Sequence, residues 1–395
     1  MELTLEAYRI ILKYVESRAD IATLCRVSQG FRRVAERALY NTLFIRNDEG
    51  TMLLCKALTA SPRLAVHVDA LTIYLLDDDD SDDDDDDDGD TQEQSSPTSA
   101  IDWVAVAGAL QRTTRLRYFN VHIGSCTTST AWVLEGCTFQ LQKFHCDFTW
   151  DSKLVAFLDT QMELEDLYIV DYQDFKDSTS QASLSARAFH KLSMLECTFS
   201  EAAMALVPGR PITHLKTCFS RTETTAKLEE MCDLLLKVAL STRALRSIDI
   251  ADASYTDTFS SEFLSAIVSM GSAVAELQHL GTLVLPVEGR KVSSFPFRRL
   301  RTEYHLSWLL QRLQFYGQLR RLPNIQSVEL EVTGWNPPPS TPAALKALAS
   351  EMRLYKPSVV RIIFVRDFDR TVVTALDGTC RVIPEMNADL LWREI

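Results

Sequence analysis

The sequence predicts an α/β chain in which a three-helix module leads into an irregular solenoid of strands and helices. Three observations carry that reading. Residues from Leu3 to Tyr40 have helical apolar spacing, interrupted twice by helix-capping side chains. From Val68 onward an L-x-x-L-x-L pattern recurs as far as Val360, and each copy reads as a short alternating strand. The segments between copies have room for helices, and several show helical periodicity of their own.

In the leading module Leu5, Tyr8, Leu12 and Val15 follow at steps of three, four and three, with Ile11 beside them, which is one apolar face of a helix. Ser17 to Asp20 breaks that pattern. Asp20 is placed to accept from the free amides of a second helix, Ile21 to Val27, and Ser28 from those of a third, Ser28 to Ala38, lined by Phe31, Val34, Ala35 and Ala38. A unit this small removes too little apolar surface from water to offset its chain entropy, so it requires a neighbour.

These residues resemble an F-box, the helical module that docks its protein on the Skp adaptor of a cullin ubiquitin ligase. The family opens close to L-P-x-E-I-L-x-x-I-L-x-Y-L, and Leu3, Glu6, Ile11, Leu12, Tyr14 and Val15 match it, whereas Thr4, Ala7 and Tyr8 depart. Thr4 stands at the usual proline position and leaves a backbone N–H there. The later half of the pattern is met by Asp20, Ile21, Leu24, Val27, Ser28, Phe31 and Arg32. The resemblance implies a module at residues 1–45 that binds a Skp-type adaptor through Leu3, Leu5, Glu6, Tyr8, Ile11, Leu12, Val15, Ile21, Leu24, Val27 and Phe31. An amphipathic cap on the following domain is the other reading of the same residues.

Leu53, Leu54, Ala57 and Leu58, ended by Ser61-Pro62, predict a linker helix within residues 46–64. The strand pattern then begins at Val68 (with Leu71 and Ile73) and recurs at Leu116, Leu141, Leu164, Phe189, Ile212, Leu245, Leu280, Ile325 and Val360. From Leu116 to Ile212 the starts are 25, 23, 25 and 23 residues apart; later steps of 33, 35, 45 and 35 require longer helices or insertions. Thr222 to Leu240 places Leu228, Met231, Cys232, Leu235 and Ala239 on one face, and Tyr304 to Leu319 is a second helical stretch. Thr341-Pro342 starts another helix that Lys356-Pro357 ends. Asp377-Gly378, between Val372-Val373 and Val382-Ile383, predicts a closing hairpin over the last strand edge.

This domain, residues 65–395, resembles degenerate leucine-rich repeats over roughly residues 65–370, and with the opening module it looks like the F-box and leucine-rich-repeat proteins of mushroom-type fungi. It departs from them eight positions after the first leucine, where Asn or Cys is usual: Gly124, Thr149, Tyr172, Cys197, Ser220, Ala253, Glu288 and Thr333 stand there, and only Cys197 conforms. A mixed α/β domain without solenoid geometry accommodates the same pattern.

Stacked in parallel, the strands would present two columns of side chains on a concave face. One is Asn120, His145, Tyr168, Ser193, Lys216, Asp249, Val284 and Glu329; the other is Tyr118, Lys143, Asp166, Lys191, His214, Ser247, Thr282 and Ser327. Tyr118, Asn120, Lys143, His145, Asp166, Tyr168, Lys191 and Lys216 are the candidate target-binding residues. Any sheet with one wet side carries polar residues there too.

The net charge of -13 comes mostly from Asp77 to Asp80, Asp82 to Asp88 and Asp90; without these the chain has 41 basic and 42 acidic residues. No basic stripe for nucleic acid is present, and residues 77–99 read as a disordered acidic insertion. The 9 cysteines lack any C-x-x-C pair, and Cys146 and Cys232 read as small buried hydrophobes. No apolar run is long enough to span a membrane, and the N-terminus lacks a secretory pattern, so a cytoplasmic or nuclear location is expected.

P-loop, zinc-protease, nucleophile-elbow and dinucleotide motifs are missing. Asp367 and Asp369 form a D-x-D pair like that of some metal-dependent transferases, and also like two solvated carboxylates at a strand end. The expectation is a non-enzymatic adaptor without cofactor or metal, in which a Skp-type protein and a cullin complex are partners and the repeats recruit an unknown target protein for ubiquitin transfer. A repeat scaffold without a ubiquitin link is the alternative, and a D-x-D metalloenzyme the third.

Overall fold

The computed structural model describes residues 3–46, 49–74, 102–124, 130–170, 184–185, 188–250, 256–286, 312–335, 338–367, 369–376, 378–384 and 387–395. The acidic insertion expected at 77–99 lies outside the described residues, as does the first half of the 304–319 helix. The chain is mixed α/β and divides into two compact units, Met1–Lys191 and Leu192–Ile395.

The first unit opens with α1 (Leu5–Leu12), α2 (Arg18–Leu24) and α3 (Gln29–Tyr40). Each start is set by a hydroxyl. Thr4 accepts from the Ala7 amide at 3.3 Å, Ser17 from Asp20 at 3.3 Å and Ser28 from Phe31 at 3.1 Å. The second cap differs from the one expected: Ser17, not Asp20, caps α2, and Asp20 sits in its first turn, where a carboxylate favours the helix dipole. Both α1 and α2 pack on α3, and α3 in turn meets α5 (Pro62–Ala65) and β1 (Thr42–Ile45). An ion pair between Glu36 and Arg63 joins α3 to α5.

Strand β1 is absent from the sequence-based reading, which runs straight from the module into a linker helix. The helix is there as α4 (Glu49–Ala60), but a strand precedes it and begins the sheet. Strands β1, β2 (Ala70–Tyr74), β3 (Tyr118–His122), β4 (Lys143–Cys146) and β5 (Asp166–Ile169) pair in parallel in chain order. Leu43, Leu71, Phe119, Phe144 and Leu167 share one register row, and Ile45, Ile73, Val121, Cys146 and Ile169 share another; all ten are buried. The apolar positions of L-x-x-L-x-L therefore form the floor on which the helices lie. On that floor Phe157 of α7 (Ser152–Asp159) meets the Phe144 ring edge-on at 5.8 Å. Helix α4 packs on α6 (Trp103–Arg112), and α6 on a 3-10 turn at Ala131–Leu134.

The unusual residues at the eighth repeat position are offset by other side chains. Asp147 accepts from the amides of Ile123 at 2.6 Å and Gly124 at 3.0 Å, tying down the turn after β3 from the next repeat. In the second unit Thr333, itself at the eighth position, does so directly and accepts from the Asp367 amide at 2.9 Å.

The second unit has β6 (Met194–Cys197), β7 (His214–Thr217), β8 (Ser247–Ile250), β9 (His279–Val284), β10 (Ser327–Glu331) and β11 (Arg361–Arg366) in parallel. β12 (Asp369–Leu376) and β13 (Thr379–Ile383) then close the edge as the expected antiparallel hairpin, with Gly378 at φ 78°. The helices of this unit are α8 (Ser200–Leu206), α9 (Thr224–Val238), α10 (Asp257–Ser269), α11 (residues 312–320) and α12 (Pro342–Tyr355). The expected lengthening is present: α9, α10 and α12 have 15, 13 and 14 residues against 8 and 7 in α7 and α8. The inward side of α9 is Met231, Leu234, Leu235 and Val238, so Cys232 is exposed rather than buried.

Three strand registers differ from those expected. The row containing Leu215 and Ile248 continues through Leu195, Leu280, Val328 and Ile362, so the copies start at Leu192, Leu277 and Val359 rather than Phe189, Leu280 and Val360. Each is an ambiguity of overlapping apolar residues. Phe189 lies three before Leu192 and is buried too, but at φ 65° in a turn. Among the described residues no helix is long and apolar enough to cross a membrane.

Candidate functional site

Two surfaces in the first unit follow from this architecture. On the helical module Tyr8 and Leu12 are buried, because they form the stripe that meets α3. Both were expected in the adaptor-binding set; that expectation is corrected, since a side chain committed to the interior of the bundle is not a contact. Val15, Ile21, Leu24 and Phe31 are half-buried, and α2 has no buried residue at all.

The remaining apolar residues stay in water. Leu3 is 52% exposed, Ile10 49%, Tyr14 83% and Val27 63%, with Leu5 and Ile11 also open. Glu6 is exposed and pairs with Arg9 at 3.3 Å. Beside them a shallow open groove is lined by Tyr14, Val15, Glu16, Ser17, Asp20, Thr23 and Leu24. Six exposed apolar side chains on so small a module make it a candidate interaction surface. Ile10 was missed from the sequence because it falls off the main stripe, and Tyr14, though matched to the F-box pattern, was left out of the adaptor-binding set. The signal was present all the same: α1 is apolar on two sides, at Tyr8 and Leu12 and again at Ile10 and Ile11, as in a helix covered from both.

The second surface is the polar side of β1–β5. Phe44, Thr72, Asn120, His145 and Tyr168 occupy one register row across the five strands, with Tyr74 opposite His122. Rings run through it: Tyr74 to His122 at 5.8 Å, His122 to Tyr168 at 6.4 Å and Tyr168 to His145 at 5.9 Å. Tyr118, Lys143, Phe44 and Tyr74 are exposed. The expected Tyr118, Asn120, Lys143, His145 and Tyr168 thus come together, and Tyr74, His122 and Phe44 join them.

Asp166 is different. Its buried carboxylate lies 3.6 Å from Lys143 Nζ and 3.3 Å from His145 Nε2, so it positions these two instead of meeting a partner. Lys191 does not join the surface, because the repeat starts at Leu192; it lies before β6 and pairs with Glu163 at 2.6 Å.

In the second unit the corresponding face is covered. Lys216 is half-buried, 3.3 Å from Glu196 and 5.9 Å from the ring centre of Trp392, on a 3-10 turn at Ala388–Arg393. Arg393 donates to Glu196 at 2.5 Å. Asp249 and Glu329 are buried on the same side, and Arg370 donates to Glu329 at 3.2 Å. Burial pushes the Glu329 carboxyl up to about 8, Asp249 adds to the rise, and Arg370 opposes it. Burial also takes His279 down to about 3, so its ring is neutral near pH 7.

Asp367 and Asp369 flank the turn between β11 and β12, with Asp367 at φ 48° and 4.0 Å from Arg366. Among the described residues no three His, Cys, Asp or Glu side chains are grouped as a metal site, and the described cysteines are all free thiols. No protein-family model matches the chain, and no curated protein matches it.

Proposed function

We propose that the chain is the substrate-recruiting subunit of a Skp-cullin-F-box ubiquitin ligase. Residues 3–40 are an F-box-like module for a Skp-type adaptor, and the remainder is a degenerate leucine-rich-repeat solenoid that holds a target protein. One observation supports this above the rest: a bundle of three short helices keeps Leu3, Leu5, Ile10, Ile11, Tyr14 and Val27 in water while α2 has no fully buried residue. Desolvating that cluster is the driving force for a partner. The target surface is the aromatic and histidine face of β1–β5, where rigid rings supply contact area at low entropic cost.

Co-purification with a Skp-type adaptor tests the reading. Tyr14→Asp and Val27→Asp place a charge on the open side without touching the interior, so both are expected to lose the adaptor while remaining folded. Retained binding in both removes the proposal. A protein-binding scaffold with no ubiquitin link would use the β1–β5 face alone, and its partners would remain bound in both variants with the adaptor missing from the start.

A further inference from the structure

Residues 388–395 of the second unit lie across its own polar face. The 3-10 turn Ala388–Arg393 lies against β8, β9 and β12. Ala388 and Leu391 pack on Ile363, Val372 and Ile383. Trp392 is buried, with the Arg393 guanidinium 4.6 Å from its ring centre. Arg393 reaches Glu196, and His214 Nε2 lies 2.8 Å from the Ile395 carbonyl oxygen. The contacts are those of a bound ligand: an apolar anchor, an aromatic anchor and a charge-assisted hydrogen bond.

Two features separate this segment from an ordinary structural cap. The first is fit. Among the described residues Ser247 Oγ and His279 Nε2, on the strands it lies against, and Trp392 Nε1 of the segment itself are buried without a hydrogen-bond partner, so the segment covers polar atoms of β8 and β9 that it does not satisfy. The second is charge. The strands bring Glu196 and Asp249 to this face with Lys216, Arg370 meets the buried Glu329 carboxyl, and Arg393 pairs with Glu196. The surface therefore suits a basic residue beside an aromatic one, as Arg393 and Trp392 of this segment are.

We propose that the polar face of β6–β12 is a peptide-docking groove, that residues 388–393 fill it as an internal ligand, and that a partner segment of the same chemistry displaces them. That chemistry is a buried leucine followed by an aromatic residue and an arginine, as in Leu391, Trp392 and Arg393. The groove is distinct from the β1–β5 face, and its test is independent of any adaptor. A tethered ligand competes at high effective concentration, so the wild-type groove takes a free peptide weakly.

The test uses the full chain and a fluorescein-labelled peptide with the sequence of residues 387–395, followed by anisotropy. Arg393→Glu in the chain loosens the tail and is expected to tighten peptide binding at least about tenfold. Glu196→Arg also loosens the tail, but it is expected to reject this peptide and accept one in which the peptide's arginine is glutamate. Equal affinity of wild type and a folded Arg393→Glu chain overturns the proposal, as does indifference to Glu196→Arg. Should Arg393→Glu not fold, hydrogen exchange on the wild-type chain decides. Excess unlabelled peptide is expected to speed exchange in residues 387–395, and unchanged exchange overturns the groove.

Discussion

The Tyr8 ring lies on Phe31 with centroids 4.4 Å apart, and it also fills the space above Gly30, where an added Cβ would meet Tyr8 Cε2 at 2.4 Å. Tyr8 is thus the joint between α1 and α3. Tyr8→Ala removes the ring from the interior and is expected to cost about 2–4 kcal/mol in urea unfolding, and Gly30→Ala is expected to destabilise the module by displacing that ring. Tyr14→Ala, on the open side, is expected to change stability by no more than about 0.5 kcal/mol.

A second close approach lies in the other unit. A Cβ at Gly281 would come within 2.2 Å of Asp249 Oδ1, so β9 admits only glycine beside that carboxylate. Gly281→Ala is expected to destabilise by about 1–3 kcal/mol. Combining it with Asp249→Ala removes the contacts with Oδ1 and Cγ but leaves Cβ at 2.8 Å, so the two costs are expected to be partly non-additive in a double-mutant cycle.

Glu329 gives a pH signature. Its folded pKa, about 8, is above the ordinary 4.5, so the folded state binds more protons than the unfolded state between these values. Wild-type stability from this group is therefore full below pH 4.5 and is lost as pH rises toward 8. Glu329→Gln removes the titration. Its stability relative to wild type is expected to rise across that window by on the order of 2–4 kcal/mol, measured by denaturant unfolding at a series of pH values. A flat difference would contradict the burial argument.

On the β1–β5 face, Tyr118→Ala and Tyr168→Ala are expected to reduce capture of a target by roughly tenfold or more, with little change in melting temperature for the exposed Tyr118. Asp166→Ala is expected to act on both stability and capture, because Lys143 and His145 lose the carboxylate that holds them. Titration calorimetry with a purified target, once captured, separates the two effects.

Strand positions were legible wherever the apolar triplet was unique, as at Leu116, Leu141 and Leu164. At Phe189 and Leu192 two triplets overlap, and only the turn at Phe189 decides between them. Thr42–Ile45 is too short to show alternation, so β1 was hidden. The cap at Ser28 and the start at Thr341-Pro342 were local and were read directly. The covering of Lys216 by Trp392 was not, because it joins segments far apart in the chain. The outer apolar side of α1 was visible residue by residue, yet choosing one stripe for the whole helix mixed Tyr8 and Leu12 with the residues that stay in water.

Direct titration of the chain with a purified Skp-type adaptor is the sharpest test of the function proposed. The open side of α1 and α2 is expected to bind it in the micromolar range or tighter, roughly -8 kcal/mol or better. Val27→Asp and Tyr14→Asp are expected to weaken that binding at least about tenfold while unfolding as the wild type does. No heat of binding with the wild-type chain, or equal affinity in both variants, would contradict the account.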